Sequence, residues 1–192
     1  DVYFSSGHGE AYFSKKENAP YCTDCHGSHL IKPKTDETSP VFRSSIPKLC
    51  GGCHQTGGKA VEGTNLKEVD AFHDYSKSVH GRSLSEKGLL SAAICTDCHT
   101  SHFELKESDI RSSVHPKNIA STCGNCHKGI YNEYISSDHA YQAESGDVKY
   151  PTCGTCHSAH SITEVHQDKF MAEITAQCGK CHSELAESYL ET

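Results

Sequence analysis

The chain has 192 residues, a formal net charge of −7 and a hydrophobic content of only 35%, with no tryptophan. An acidic chain without a basic stripe excludes nucleic acid as a partner, and no apolar run reaches the roughly 20 residues that cross a bilayer. With 15 glycines and 6 prolines in addition, the composition excludes an ordinary, well-filled apolar core.

In chain order, the first element is Tyr3-Phe-Ser-Ser-Gly-His8, followed by Cys22-Thr-Asp-Cys25-His26-Gly-Ser-His29. Residues 31–47 read as a loop, then comes Cys50-Gly-Gly-Cys53-His54, then a second loop over 55–70, both rich in Lys, Gly, Pro, Ser and Thr. His73 precedes Tyr75-Ser-Lys-Ser-Val-His80, and Cys95-Thr-Asp-Cys98-His99-Thr-Ser-His102 follows. Next are Ile110-Arg-Ser-Ser-Val-His115-Pro-Lys117 and Cys123-Gly-Asn-Cys126-His127. A helix is expected over Asn125 to Ser136, leading into Tyr134-Ile-Ser-Ser-Asp-His139. Cys153-Gly-Thr-Cys156-His157-Ser-Ala-His160 and His166 come next. A second helix, expected over Lys169 to Leu190, carries apolar spacing at Phe170, Ile174, Leu185 and Tyr189 and includes Cys178-Gly-Lys-Cys181-His182. The fold class expected is mostly irregular, with short α-helices packed around a non-protein core and little β.

All 12 cysteines therefore lie in six Cys-x-x-Cys-His pentapeptides, the attachment signature of c-type haem. The thiols of Cys22, Cys25, Cys50, Cys53, Cys95, Cys98, Cys123, Cys126, Cys153, Cys156, Cys178 and Cys181 would add to haem vinyl groups. His26, His54, His99, His127, His157 and His182 would be the proximal axial ligands of the iron. A disulfide framework does not explain a histidine after every second cysteine. Four-cysteine zinc sites leave six histidines over, and a thioredoxin-like pair occurs once per domain rather than six times. Six haem c groups spread over 192 residues leave 32 residues per site, too few to wrap each one separately. The porphyrins themselves are expected to form the core, and the apo-protein to be largely unfolded.

Of 15 histidines, nine lie outside the pentapeptides, and the single methionine is Met171. Bis-histidine iron follows, with low potential and no open coordination position. In Cys-His-x-x-His, two imidazoles three residues apart would share one face of a helical turn. His29, His102 and His160 are therefore expected to ligate a different haem from the one beside them. The Ser-x-His elements supply His8, His80 and His139. His139 lies 12 residues past His127, roughly 18 Å along a helix, so it too must reach another haem. His73, His115 and His166 are weaker distal candidates.

The elements recur as three two-haem units within one domain, at about 1–70, 71–132 and 133–192. Phe42-Arg-Ser-Ser-Ile-Pro-Lys48 resembles Ile110-Arg-Ser-Ser-Val-His-Pro-Lys117 but lacks its histidine. The Ser-x-His element expected five residues beyond Tyr189 is missing, while one stands at Tyr3 to His8. A head-to-tail homopolymer would supply it, with His8 ligating a haem of the neighbouring subunit. The bland alternative folds His8 back onto its own chain and gives the last haem His166.

From about Phe4 to Tyr189 the chain resembles the multihaem c-type cytochromes, and its open-ended repeat resembles the extracellular cytochrome filaments, or cytochrome nanowires. The resemblance implies a continuous haem wire with an axial histidine donated across each subunit contact. It also implies export to the cell surface or exterior, otherwise the periplasm. Redox-partner cytochromes and an extracellular electron acceptor, such as a metal oxide or a partner cell, are the implied partners. A soluble periplasmic electron shuttle is the alternative in the same class. A reductase of the nitrite, hydroxylamine or tetrathionate type would need one open iron, and all six pentapeptides end in histidine. An electron-transfer protein rather than an enzyme is the expectation. Asp1 carries no signal peptide and reads as the start of a mature form; no Asn-x-Ser/Thr sequon occurs.

Overall fold

The computed structural model describes residues 2–62, 70–140, 150–165 and 167–191. Among these residues it is helical and has no strand. The helices are short, and their placement follows from two different ways of building a Cys-x-x-Cys-His turn.

In the first way the pentapeptide is itself a one-turn helix: α2 (Cys22–His26), α6 (Cys95–His99) and α9 (Cys153–His157). The residue ahead of each is extended, and its amide is held by the third residue of the motif. Tyr21 N–H donates to Asp24 at 2.7 Å, Ile94 N–H to Asp97 at 2.8 Å, and Thr152 N–H to the Thr155 hydroxyl at 3.0 Å. Each helix ends at its histidine because the next residue turns to positive φ, +75° at Gly27, +69° at Thr100 and +62° at Ser158. With ψ near 180° this is a region natural to glycine and strained for threonine and serine.

In the second way the first cysteine closes a longer helix and the histidine lies just beyond it. The helices are α3 (Ile46–Gly51), α7 (Ile119–Gly124) and α10 (Gln167–Gly179). His54, His127 and His182 donate their amides to the carbonyls of Cys50, Cys123 and Cys178 at 2.9, 2.9 and 2.8 Å. A further helix then folds back on each: α4 (Ala71–Lys77), α8 (Lys128–Ile135) and α11 (Ser183–Leu190). The fold-back needs glycine after the first cysteine. A Cβ on Gly51 would lie 2.4 Å from the Phe72 ring, and one on Gly124 would lie 2.7 Å from the Tyr131 ring.

A tyrosine and a serine then set the next turn. Tyr75 donates to Ala93 O at 2.9 Å and Tyr134 to Pro151 O at 3.2 Å; Tyr3 donates to Pro20 O in the same way. Each acceptor stands two residues ahead of a pentapeptide. Ser6 and Ser78 accept from Gly9 N–H and Gly81 N–H at 3.1 Å, opening α1 (Gly7–Phe13) and α5 (Val79–Ser85). Serine caps a helix start well because its hydroxyl satisfies an amide that has no partner within the helix.

Apolar burial is sparse. Among the described residues the buried hydrophobic ones are Leu84, Ala92, Ile94 and Ala140, and the most completely buried side chains are the serines Ser6, Ser39, Ser78 and Ser112. Leu30, Ile31, Ile130 and Leu185 stand in solvent at 66% exposure or more. Helix positions therefore owe little to polypeptide packing.

Four expectations are corrected in detail. The helix over Asn125 to Ser136 runs 128–135, and that over Lys169 to Leu190 is two helices broken at 180–182, where the pentapeptide turns. The loop of 31–47 closes early into a 3-10 turn at Arg43–Ser45 and the start of α3, while 63–69 of the second loop lies outside the described residues. The Arg-Ser-Ser match also sits in the wrong register. Ser39 and Ser112 are the equivalent residues, both buried, both donating at 3.2 Å to the chain seven residues earlier, at Lys32 O and Leu105 O. Phe42 therefore takes the place of His115.

Candidate metal centres

Five pentapeptide histidines face a second imidazole. His26 faces His102 and His99 faces His160, with ring centres 6.0 Å apart in both. His54 faces His8 at 6.0 Å, His127 faces His80 at 6.1 Å, and His182 faces His139 at 6.3 Å. Two metal–imidazole bonds of about 2.0–2.1 Å, plus roughly 1.1 Å from each nitrogen to its ring centre, put trans imidazoles about 6.3 Å apart. A tetrahedral angle would bring them to about 5.1 Å. The gaps thus fit one metal ion with its two imidazoles opposite each other. No group of three or more His, Cys, Asp or Glu fit to hold a metal occurs among the described residues. Each of these gaps has a Cys-x-x-Cys beside it, and a tetrapyrrole, which brings its own nitrogen donors, would fit between the two imidazoles.

The pairs follow a rule. Each Ser-x-His histidine meets the second pentapeptide of its own unit: His8 with His54, His80 with His127, His139 with His182. Two of the three Cys-His-x-x-His histidines instead meet the first pentapeptide of the unit before their own: His102 with His26, and His160 with His99. Both histidine sets thus face a pentapeptide other than the one beside them. For the second set, however, the reason is not a shared helix face. The positive φ after the pentapeptide turns the chain away.

His8 is the main correction. The expectation carried it to a neighbouring subunit, but it faces His54 of its own chain, and its Nδ1 lies 3.5 Å from Glu104 Oε2. A carboxylate beside Nδ1 orients the ring and leaves Nε2 to point at a metal. The halves of the pattern left over are His29 and His157, neither of which faces another imidazole among the described residues. His29 is exposed and its Nδ1 contacts the Ser28 hydroxyl at 2.9 Å. His157 opens on a cleft of about 240 Å³ lined by Cys156, Ser158, Ser161, Glu164 and Glu173 among others. Of the weaker candidates, His73 lies 3.6 Å from Asp70 and 3.7 Å from Asp74. His115 accepts the Lys117 amide at 3.1 Å. Neither faces another imidazole, and His166 lies outside the described residues.

Electrostatics agree with ligands held neutral. Burial, reinforced by the neighbouring His160 and His54, drives His99 down to about 4. Burial first, then the facing imidazole, also lowers His54 and His80. Neutral imidazole is the form that binds a metal. The thiols are linked from unit to unit. Cys50 shares a hydrogen bond with Cys95, which pushes Cys50 up and Cys95 down; the Cys123–Cys153 pair behaves alike, with Cys153 lowered to about 7. All twelve cysteines are free thiols here.

Arg43 fastens unit one to unit two. Its guanidinium reaches Asp97 at 3.1 and 2.5 Å, Ala92 O at 2.9 Å and also Leu90 O. Burial works against the Asp97 charge, yet Arg43 and the Ile94 amide hold its carboxyl below the usual range. Nothing in the local sequence around Arg43 announces this contact, because its partners lie 47 to 54 residues away.

No protein-family model, curated protein or solved structure matches the chain.

Proposed function

We propose that the protein conducts electrons over long distance through six bis-histidine haem c groups, as the repeating subunit of an exported head-to-tail filament. The observation that carries the reading is the set of five imidazole pairs, 6.0–6.3 Å apart, each with a Cys-x-x-Cys beside it. When bound, haem c supplies a ferric/ferrous couple at each pair. The residues do the remainder. The histidine pairs fill both axial positions, which leaves no place for a substrate. The unit-to-unit pairs hold successive sites in a fixed order, and the cysteines Cys50 to Cys95 and Cys123 to Cys153 bring consecutive attachment points into contact.

The sixth site supports the polymer. His157 requires a ligand, and His29 is a histidine of the class that elsewhere serves the preceding unit. One subunit's His29 therefore completes the His157 site of its neighbour, in the role first expected of His8. No helix among the described residues is long and apolar enough to cross a membrane, and haem c attachment outside the cytoplasm supports an exported position.

Haem counted against protein by pyridine haemochrome is expected at six per chain. The assembled form is expected to be entirely low-spin, and dilute subunits to show one high-spin site. His29→Ala should abolish filaments in negative-stain microscopy and keep that site high-spin at any concentration, whereas His8→Ala should alter the His54 site and leave filaments intact. Fully low-spin single subunits would sink the filament reading and favour a shuttle.

The cleft at His157 favours a second reading, a reductase with one open iron. It expects small ligands such as carbon monoxide or nitrite to bind the His157 site in assembled and dilute protein alike. The filament reading expects binding in dilute protein alone.

A further inference from the structure

Two internal junctions, unit one to unit two and unit two to unit three, are built from the same three contacts. An imidazole pair crosses each, His26–His102 and His99–His160. A pair of thiols crosses each, Cys50–Cys95 and Cys123–Cys153. The third contact is backbone. The amide between the serine and histidine of Ser-x-His donates to the chain two residues past the crossing histidine. Gly7 N–H donates to Glu104 O at 2.6 Å, and Val79 N–H to Ile162 O at 2.8 Å.

Continuing the pattern one step past unit three assigns the missing halves: His157 with His29, Cys178 with Cys22, and Asp138 N–H with Ile31 O. Every one of these groups is on the chain, and every one lies at a place open to a partner. Cys22 and Cys178 are exposed. Asp138 is exposed, and its amide has no backbone acceptor among the described residues. Ile31 is 66% exposed and its neighbour Leu30 83%. A fold with so few buried apolar side chains leaves these two bare beside an unmatched ligand, which points to a surface that is covered in use.

We infer that the strip His29–Lys32 is an interaction surface for a second copy of this chain, docking against the Ser137–His139 turn through an Asp138 N–H to Ile31 O hydrogen bond. The inference rests on the filament reading above and adds the contact that fixes register. A single imidazole ligating a metal lets the donor subunit rotate about that bond, but a backbone bond two residues away does not. The filament step is then the internal step repeated, so the spacing of sites across a subunit boundary equals that within a subunit. Tyr189 stands seven residues past His182 as Tyr134 does past His127, and Tyr3 stands five ahead of His8 as Tyr134 does ahead of His139; Tyr189 and Tyr3 thus answer to one position of the pattern, so one of the two moves aside at the boundary.

The experiment uses the haem-loaded full chain. Hydrogen–deuterium exchange is followed for a peptide containing Asp138, in dilute subunits and in filaments; assembly is expected to slow the Asp138 amide at least tenfold. The variant is Asp138→Pro, which deletes the N–H. Proline is well tolerated directly after a capping residue in extended conformation, and Ser6 and Ser78 at the equivalent places have ψ of 168° and 164°. This variant should keep the spin states of dilute wild-type protein and raise the critical concentration for assembly by about tenfold, the worth of one hydrogen bond. The control Val79→Pro should instead destabilise the single subunit. Filaments with an unprotected Asp138 amide, or an Asp138→Pro variant that assembles like wild type, would overturn the contact and leave the filament standing. A wild type that stays monomeric would overturn both.

Discussion

The histidine pairs within a unit and those between units differ in geometry as well as in sequence origin. Within-unit pairs, made by Ser-x-His, are tilted by 32–39°. Between-unit pairs, made by Cys-His-x-x-His, are nearly parallel at 14–15°. The tilted pairs join one chain turn to a site of the same unit. The parallel pairs, together with the thiol contacts and Arg43, weld one unit to the next. A repeat whose joints differ from its interiors can be extended without redesign, because only the joint has an unmatched half.

Breaking one pair of each kind tests that division. His102→Ala and His80→Ala should each turn one site high-spin. Only His102→Ala should also let unit one melt separately, at a cost of about 3 kcal/mol or more and a fall in unfolding temperature on the order of 6–12 °C. Similar melting of the two variants would remove the distinction. A smaller effect is expected inside a unit. Gly51→Ala should cost about 1–3 kcal/mol through overlap with Phe72, and adding Phe72→Ala should recover part of it.

The arginines sharpen the comparison further. Arg43→Ala, at a joint, should lower the unfolding temperature by about 2–4 °C, the shift that about 1 kcal/mol produces in a chain of this size. Arg111 is exposed, pairs with Asp109 two residues away and lies over the Phe103 ring at 5.6 Å, all within one unit, and Arg111→Ala should lower it by less than Arg43→Ala does. The smallest expected effect is a gain. Thr100→Gly should stabilise by about 0.5–1 kcal/mol by relieving a positive φ, measured as the same transition moving upward.

Much of this site was legible because cysteine and histidine spacing is chemically explicit. The six pentapeptides are explicit in the spacing, and so is the expectation that His102 and His160 reach away from the pentapeptide beside them, although the positive φ that turns them away is not. The pairing of His8 is not explicit either. It depends on Tyr3 and Ser6 holding the turn beside Glu104, nearly one hundred residues later in the chain, and no local period encodes that distance. The Arg-Ser-Ser match misled for a related reason. Identical tripeptides outweighed a single buried serine, although Ser39 and Ser112 are what the fold aligns. The helix break at 180–182 is also hidden, since apolar spacing runs across it and only the cysteine turn interrupts it.

One consequence of the unmatched His29 and His157 is polarity. They are different kinds of half, a lone donor on one face and a pentapeptide histidine short of its partner on the other. In the proposed filament a column therefore has a head and a tail that differ in chemistry. A capping molecule with a free imidazole would arrest growth at the tail alone, and electrons leaving by the two tips would meet different coordination. The direction of such a column is written in which residue is left over at each end.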